Sequence, residues 1–343
     1  MTDFSLRPDL TPSAQESIES LFDGFSFEDI VNDIVSGKFS PDTGSLINRI
    51  AGLFMGELKT ALALIGTIAA IVLISAFVNN LSSSLGKKGP GEATAFAVFL
   101  YIAAVAATAF ESAGKFVITT LDDITILVHS IIPAMSMLCV SGGEAVRATL
   151  THPVIFFVCS ALAGIIRNII TPLVLLRAVS VLLCAISTNS GLDEFSQLFA
   201  KLHKTVLSFS MSIFAGILGI SSFAAASFDS LAARGVKFAI GAAVPVVGGS
   251  IAEAMSSIAG SAMLLKNAVG LGGVIMLFAI FAIPLLKLSA LSLALRLTAA
   301  FTSPVAEKKV TDVLKKLGDC IDMLFSSIAC MGTIMIIAIA AIM

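Results

Sequence analysis

The chain has 343 residues, 57% of them hydrophobic and 13% charged, with a mean hydropathy of +1.00. Soluble domains carry about 25% charged and about 45–50% apolar residues, so a soluble fold is excluded for want of polar surface. A transmembrane β-barrel is excluded by the long unbroken apolar runs, because its strands alternate. The class is an all-α, polytopic transmembrane helical bundle, and at about 20 residues per span the length allows roughly ten spans. The formal net charge of −2 hides an asymmetry: residues 1–60 hold ten acids and four bases, residues 61–343 thirteen acids and seventeen bases. Tryptophan is absent and Tyr101 is the one tyrosine, so the usual interfacial aromatic belt is missing.

Residues 1–57 lack the basic and apolar regions of a signal peptide and read as an acidic, amphipathic-helical headpiece. Ser13 with Glu16 and Ser26 with Asp29 have capping-box spacing. Phe27, Ile30, Val31, Ile34 and Val35 recur at helical spacing, and a third stripe of Leu46, Ile47, Ile50, Leu53 and Phe54 leads into the first span at 58–81. With few bases to attract anionic lipid, the headpiece is expected to pack on the membrane domain as a cap; the alternative is a docking surface for a partner protein. Residues 58–92 make the first span and a short Gly/Pro loop carrying Lys87 and Lys88. The positive-inside rule places this loop in the cytoplasm and the headpiece outside. Export of the headpiece needs a signal, so a leader is expected to have been removed or left off.

Beyond this loop the uncharged stretches run at 93–110, 124–143, 148–166, 168–192 (broken by Arg177), 205–228, 238–252, 267–286, 288–306 (broken by Arg296) and 323–343. An offset of 112 residues relates Pro133 to Pro245, Pro172 to Pro284 and Phe116 to Phe228, and 171–183 shares six of thirteen residues with 283–295. This predicts two membrane repeats, 93–204 and 205–322, followed by a C-terminal span at 323–343. Each repeat ends in a charged amphipathic stretch, with Lys201 and Lys204 in the first and Lys308, Lys309, Lys315 and Lys316 in the second. Placing both stretches on the cytoplasmic side gives each copy an even number of crossings, which favours parallel over inverted repeats.

No catalytic set is visible, so the chain reads as non-enzymatic. His129, His152 and His203 lack partners at metal-ligand spacing, and the five cysteines form no CxxC pair, which leaves them as small apolar filler. No cofactor is implied. No GxxxxGK[ST] loop exists, so ATP-driven work needs another subunit. The informative segments are broken ones: Pro133 followed by Gly142 and Gly143, and Pro245 followed by Gly248 and Gly249. Proline removes an intrahelical hydrogen bond, so helix continuity is expected to fail at both. Exposed backbone at membrane depth needs protein or a wet cavity, giving a central polar seam as one reading and two tight small-residue helix crossings as the other. Arg177, Lys266, Lys287 and Arg296 lie within or beside apolar runs, where a central charge costs about 2.5–3.5 kcal/mol on insertion scales. Glu253 is the natural partner by position. Lys266 and Lys287 are expected to snorkel; Arg177 and Arg296 are expected to face the bundle interior.

The runs Arg234-Gly-Val-Lys237, Gly241-Ala-Ala-Val-Pro245-Val-Val-Gly248-Gly249, Leu264-Leu-Lys266-Asn267-Ala-Val-Gly270 and Pro284-Leu-Leu-Lys287 resemble the stage III sporulation protein AE family, as do the number and spacing of spans over 55–343. The chain reads Thr302-Ser-Pro304-Val-Ala-Glu307 where the family carries Gln-Pro-x-Gly-Asp. The resemblance implies a membrane subunit, export-gate-like or permease-like, of the channel-like complex between mother cell and forespore that sustains the forespore after engulfment. It implies residence in the mother-cell membrane facing the forespore, and partners among the other stage III sporulation A proteins. These include a cytoplasmic ATPase and ring-forming components of the intermembrane space, with stage II sporulation protein Q reached indirectly. Lipid and further copies of the chain complete the expected partners; nucleic acid is not among them. An autonomous secondary transporter for a small, anionic metabolite is the alternative, and a membrane scaffold the third reading.

Overall fold

The computed structural model describes residues 11–22, 27–38, 43–84, 88–145, 147–186, 191–243, 248–304, 306 and 308–343, with backbone alone over 79–84, 88–95, 222–243, 248–256 and a few isolated positions. All regular structure among them is helical. A small headpiece of α1 (Pro12–Phe22) and α2 (Phe27–Val35) precedes α3 (Thr43–Ser84) and α4 (Lys88–Ser141). A π-helical turn at Arg147–Thr151 leads into α5 (His152–Ile165), and a second at Ile166–Ile170 joins it to α6 (Thr171–Ile186). Then come α7 (Gly191–Ala243), α8 (Gly248–Thr302) and α9 (Lys308–Ile342). Each π turn directly precedes a proline-bearing pair, His152-Pro153 or Thr171-Pro172. Proline has no N–H for the carbonyl four residues back, and the wider turn moves the bonding to the fifth: the Thr171 N–H donates to Ile166 O.

Six of these helical stretches are long and apolar enough to cross a membrane, where the sequence suggested about ten spans. The difference arises because stretches separated by charges are continuous helix. The runs 93–110 and 124–141 both lie in α4, 148–166 and 168–186 form one path through α5 and α6, and 267–286 and 288–302 both lie in α8. A charge interrupts hydropathy without interrupting hydrogen bonding. Glu111 and Lys115 of α4 pair at 2.7 Å one turn apart, and hydroxyls such as Thr120, Thr125 and Ser130 donate to the carbonyl four residues back, which satisfies them inside the helix. The stretch Phe96–Ser141 spans 46 residues, about 69 Å at 1.5 Å per residue. That is over twice the roughly 30 Å hydrocarbon core, so part of α4 stands beyond the lipid.

The core is built around α9, which buries side chains on several faces from Val310 to Ile342 and packs on α4, α6, α7 and α8. α8 buries most of its most apolar stretch, whereas α3 and α7 leave most of theirs uncovered by protein. Positions 121–137 of α4 and 321–337 of α9 share one order of buried, half-buried and exposed residues, position by position, so these helices occupy similar environments 200 residues apart. The 112-residue correspondence pairs unlike contexts instead. Pro172 stands at the start of α6 while Pro284 lies inside α8, and the expected boundaries after 92, 204 and 322 each fall within a helix. Close approach is set by glycine: a Cβ on Gly273 of α8 would lie 2.6 Å from Ile131 Cδ1 of α4.

The headpiece caps the bundle. Ala14, Ile18, Leu21, Ile30 and Val31 join the main core, and Asp123 of α4, 2% exposed, accepts hydrogen bonds from Thr11 N at 3.1 Å and Thr11 Oγ1 at 2.8 Å. Side-chain contacts fix the depth of this anchor. Gly273 meets Ile131, Gly332 meets Phe281, and Ser327 meets His203. In that register Asp123 lies within about 10 Å, by helical rise, of the depth of His203. The Thr11–Asp123 anchor of the headpiece and the residues Lys201 and Lys204 that flank His203 therefore lie at similar depths along the bundle axis.

Replacing Gly273 by leucine should overpack the α4–α8 crossing and cost about 1–3 kcal/mol, read as a lower thermal midpoint of the detergent-purified protein. Gly216→Ala in α7, where an added Cβ meets nothing, should leave the midpoint unchanged or raise it.

Candidate functional site

Two polar constellations tie the helices of the bundle together. The first is organised by α9. Asp319 and Asp322 are three residues apart and so share a face. Arg296 of α8 donates Nη2 to Asp319 Oδ1 at 2.8 Å and pairs with Asp322. Arg177 of α6, 12% exposed, places Nη2 3.9 Å from Asp319 Oδ2 and Nη1 2.6 Å from Met323 Sδ, while its buried Nε has no hydrogen-bond partner. Ser292 donates to Asp322. One helical turn earlier, Lys316 pairs with Asp193 at the start of α7. Two arginines and two aspartates thus form a neutral network tying α6, α8 and α9, and one added pair draws in α7.

The second lies where α4 ends. Gly143 has φ +85°, a conformation that favours glycine; it turns the chain and aims Glu144 inward. Glu144 Oε2 accepts from Lys266 Nζ of α8 at 2.9 Å, and that lysine is 2% exposed. Cys139 Sγ lies 3.6 Å from the same carboxylate oxygen and 3.7 Å from His152 Nε2, and His152 Nδ1 lies 2.7 Å from Ser136 Oγ. A lysine at this depth requires such a partner, because an unpaired buried ammonium loses several kcal/mol of solvation.

The remaining sequence-derived candidates distribute as follows. Pro133 lies inside α4 without ending it; the break falls at Gly142 and Gly143. Lys87 and Pro245 lie outside the described residues, and Lys88, Gly248, Gly249 and Glu253 are described by helical backbone alone. Lys287 meets Glu57 of α3 at 3.7 Å and stands 4.8 Å over the Phe116 ring, beside a cavity of about 460 Å³ between α3, α4 and α8. Lys201, Lys204, Lys308 and Lys309 are exposed. Arg177, Lys266, Lys287 and Arg296 accordingly find Asp319, Glu144, Glu57 and the Asp319/Asp322 pair, where the sequence offered Glu253. Lys266 is buried rather than snorkelling, and Arg296 is half-exposed, 49%, rather than interior. The histidines are not isolated either: His129 Nε2 lies 2.7 Å from Ser160 Oγ, and His203, only 4% exposed, lies 3.0 Å from Ser327 Oγ. Spacing searches missed these because each partner is a hydroxyl on another helix.

The family model of stage III sporulation protein AE matches residues 25–343. The stage III sporulation protein AE of Bacillus subtilis (strain 168) is 24% identical over 279 residues, covering 81% of this chain and 70% of that protein. No solved structure matches.

Lys266→Met should destabilise the protein by about 3–5 kcal/mol, the cost of stranding one member of a buried pair. The double variant Lys266→Met with Glu144→Gln should recover much of that loss, measured by unfolding in detergent through a double-mutant cycle.

Proposed function

The chain belongs to the stage III sporulation protein AE family, and from that premise we propose that it is a membrane-embedded subunit of a sporulation channel or secretion-like complex that links mother cell and forespore and supports the forespore after engulfment. The observation that carries the proposal is the family match, which takes in the whole apolar body from α3 to α9. The site adds a physical reason to treat that body as a working core. Charges inside apolar helices are costly to insert and mark functional paths more often than anchors, and this bundle keeps Arg177, Arg296, Asp319 and Asp322 in one network. In this reading the protein resides in the mother-cell membrane, a cytoplasmic ATPase supplies the energy, and ring-forming proteins continue the path through the intermembrane space.

Crosslinking and affinity capture from sporulating cells should recover other stage III sporulation A components with this chain; recovery of none overturns the proposal. Arg177→Met and Arg296→Met should abolish spore formation while leaving insertion and partner capture intact. A chain that served only as a scaffold would tolerate both.

A further inference from the structure

We propose that the cavity between α3, α4 and α8 is a binding site for one phospholipid whose headgroup joins a phosphate to a primary ammonium, the chemistry of phosphatidylethanolamine. Its volume of about 460 Å³ falls in the range of about 300–1,000 Å³ typical of small-ligand sites. Small side chains make the room: Ala61 of α3, Ala109 and Ala113 of α4 and Ala290 of α8 all line it. Its charged groups come from two different walls, Glu57 on α3 and Lys287 on α8.

That pair is not closed. Lys287 Nζ and Glu57 Oε1 stand 3.7 Å apart, attracted to each other but beyond the roughly 2.7–3.2 Å of a hydrogen bond. The Phe116 ring holds the ammonium from another side, 4.8 Å from the centroid. Both charged side chains keep access to their surroundings, at 42% and 34% exposure. Thr60, on the same face of α3 as Glu57, donates its hydroxyl hydrogen to Gly56 O at 3.3 Å, so its oxygen offers the cavity acceptor capacity alone. The α3 wall thus presents acceptors and the α8 wall a cationic donor. A phosphate on Lys287 and an ammonium on Glu57 and Thr60 match that order of charge, and site and headgroup together stay neutral.

Other headgroups match it less well. A glycerol headgroup sets its phosphate beside Glu57 with only a neutral hydroxyl in return. A choline headgroup has no N–H to donate, and such cations are held by aromatic cages. Among the described lining residues Phe116 is the one aromatic ring, and Lys287 occupies its face.

The cavity also lies at the depth of headgroups. Glu57 and Phe116 are nearly equally far along the chain from the α3–α4 connection, so these helices run antiparallel, with 57–61 beside 109–116. Lys59, Glu111 and Lys115 stand exposed within the same roughly two turns. Beyond them both helices are uncharged, over 60–84 of α3 and 93–110 of α4. The first of these stretches rises about 37 Å, enough to cross about 30 Å of hydrocarbon, which sets Glu57 at the edge of that span. Glu57 with Lys287 and Ala61 with Ala294 advance together, so α8 runs parallel to α3. Polarity therefore falls along the cavity in one direction, from Glu57, Phe116 and Lys287 to Ala61, Ala109 and Leu291. A headgroup at the charged end sends its acyl chains toward the hydrocarbon, where α3 leaves most of its apolar surface uncovered by protein. Lipid binding here does not depend on the sporulation reading.

The test is titration of the full chain, purified in dodecyl maltoside and stripped of lipid, with dioleoyl phosphatidylethanolamine, read by native mass spectrometry as lipid bound per chain. One molecule should bind saturably, about 10-fold more tightly than dioleoyl phosphatidylglycerol or phosphatidylcholine, the worth of one hydrogen bond to a charged group. Glu57→Gln should lower the phosphatidylethanolamine affinity by about that factor and leave phosphatidylglycerol binding unweakened, which erases the preference. Lys287→Met should weaken all three lipids. Lys115→Gln, at the same depth but outside the cavity, should change nothing. Soluble phosphoethanolamine should not compete, because it lacks acyl chains. Equal affinity for the three lipids, a preference that survives Glu57→Gln, or displacement by soluble phosphoethanolamine overturns the proposal.

Discussion

Asp319 and Asp322 sit three residues apart on α9, and between them they hold an arginine from α6 and another from α8. Much of the surrounding architecture follows from the need to satisfy those charges. An arginine in an apolar helix requires a partner or a route to water, and a partner on a different helix fixes the rotation and depth of both. With Lys316 and Asp193 adding α7, four helices are registered against one another by ion pairs. Apolar packing alone would leave that register loosely defined, since alanine and leucine surfaces slide at little cost. Glu144 with Lys266 does the same at the far end of α4. Charge pairs specify the arrangement, and glycines such as Gly273 and Gly332 then allow the helices to close on it.

That division of labour explains what the sequence disclosed. The all-helical membrane class is legible in composition. The break after α4 is legible in Gly142-Gly143, since paired glycines offer a turn and Gly143 adopts a positive φ. The packing of the headpiece is legible in the spacing of Ile30, Val31 and their neighbours, which the bundle buries. The span count was not, because hydropathy averages register charge and not hydrogen bonding. Glu111, Lys115, Asp122 and Asp123 look like a loop, yet the first two stabilise the helix one turn apart and the others are held from the π turn after α5 and from the headpiece.

Ion-pair partners were illegible for a different reason. Arg177 and Asp319 are separated by 142 positions, and Lys266 and Glu144 by 122, so only the tertiary fold brings them together. Glu253 was attractive because it is near in sequence, a poor guide once helices are long. The histidines show a signal present but read in the wrong terms. Metal-ligand spacing asks for other histidines or cysteines close by, whereas the partners of His129 and Ser136 are Ser160 and His152, which only the return of the chain through α5 places opposite them.

The same distribution bears on how such a bundle meets its neighbours. Lys266, Arg177 and Asp123 are turned inward and held by polar partners, while Phe77, Phe157, Phe209 and Ile220 stand exposed on α3, α5 and α7 at 65–75%. In water such faces would drive association by their area alone. Within lipid that driving force is absent, since acyl chains solvate phenylalanine as well as protein does, and helix association depends on shape, small-residue contacts and hydrogen bonds. The exposed phenylalanines therefore confer membrane residence without choosing a partner. Selectivity has to come from the polar features that remain accessible, among them the half-exposed Arg296 and the Asp122–Arg167 pair, and from the depth at which the headpiece presents itself. Because Asp123 fixes that depth from inside the bundle, the position of the headpiece and the packing of α4 are one mechanical unit, and a change at either is transmitted to the other.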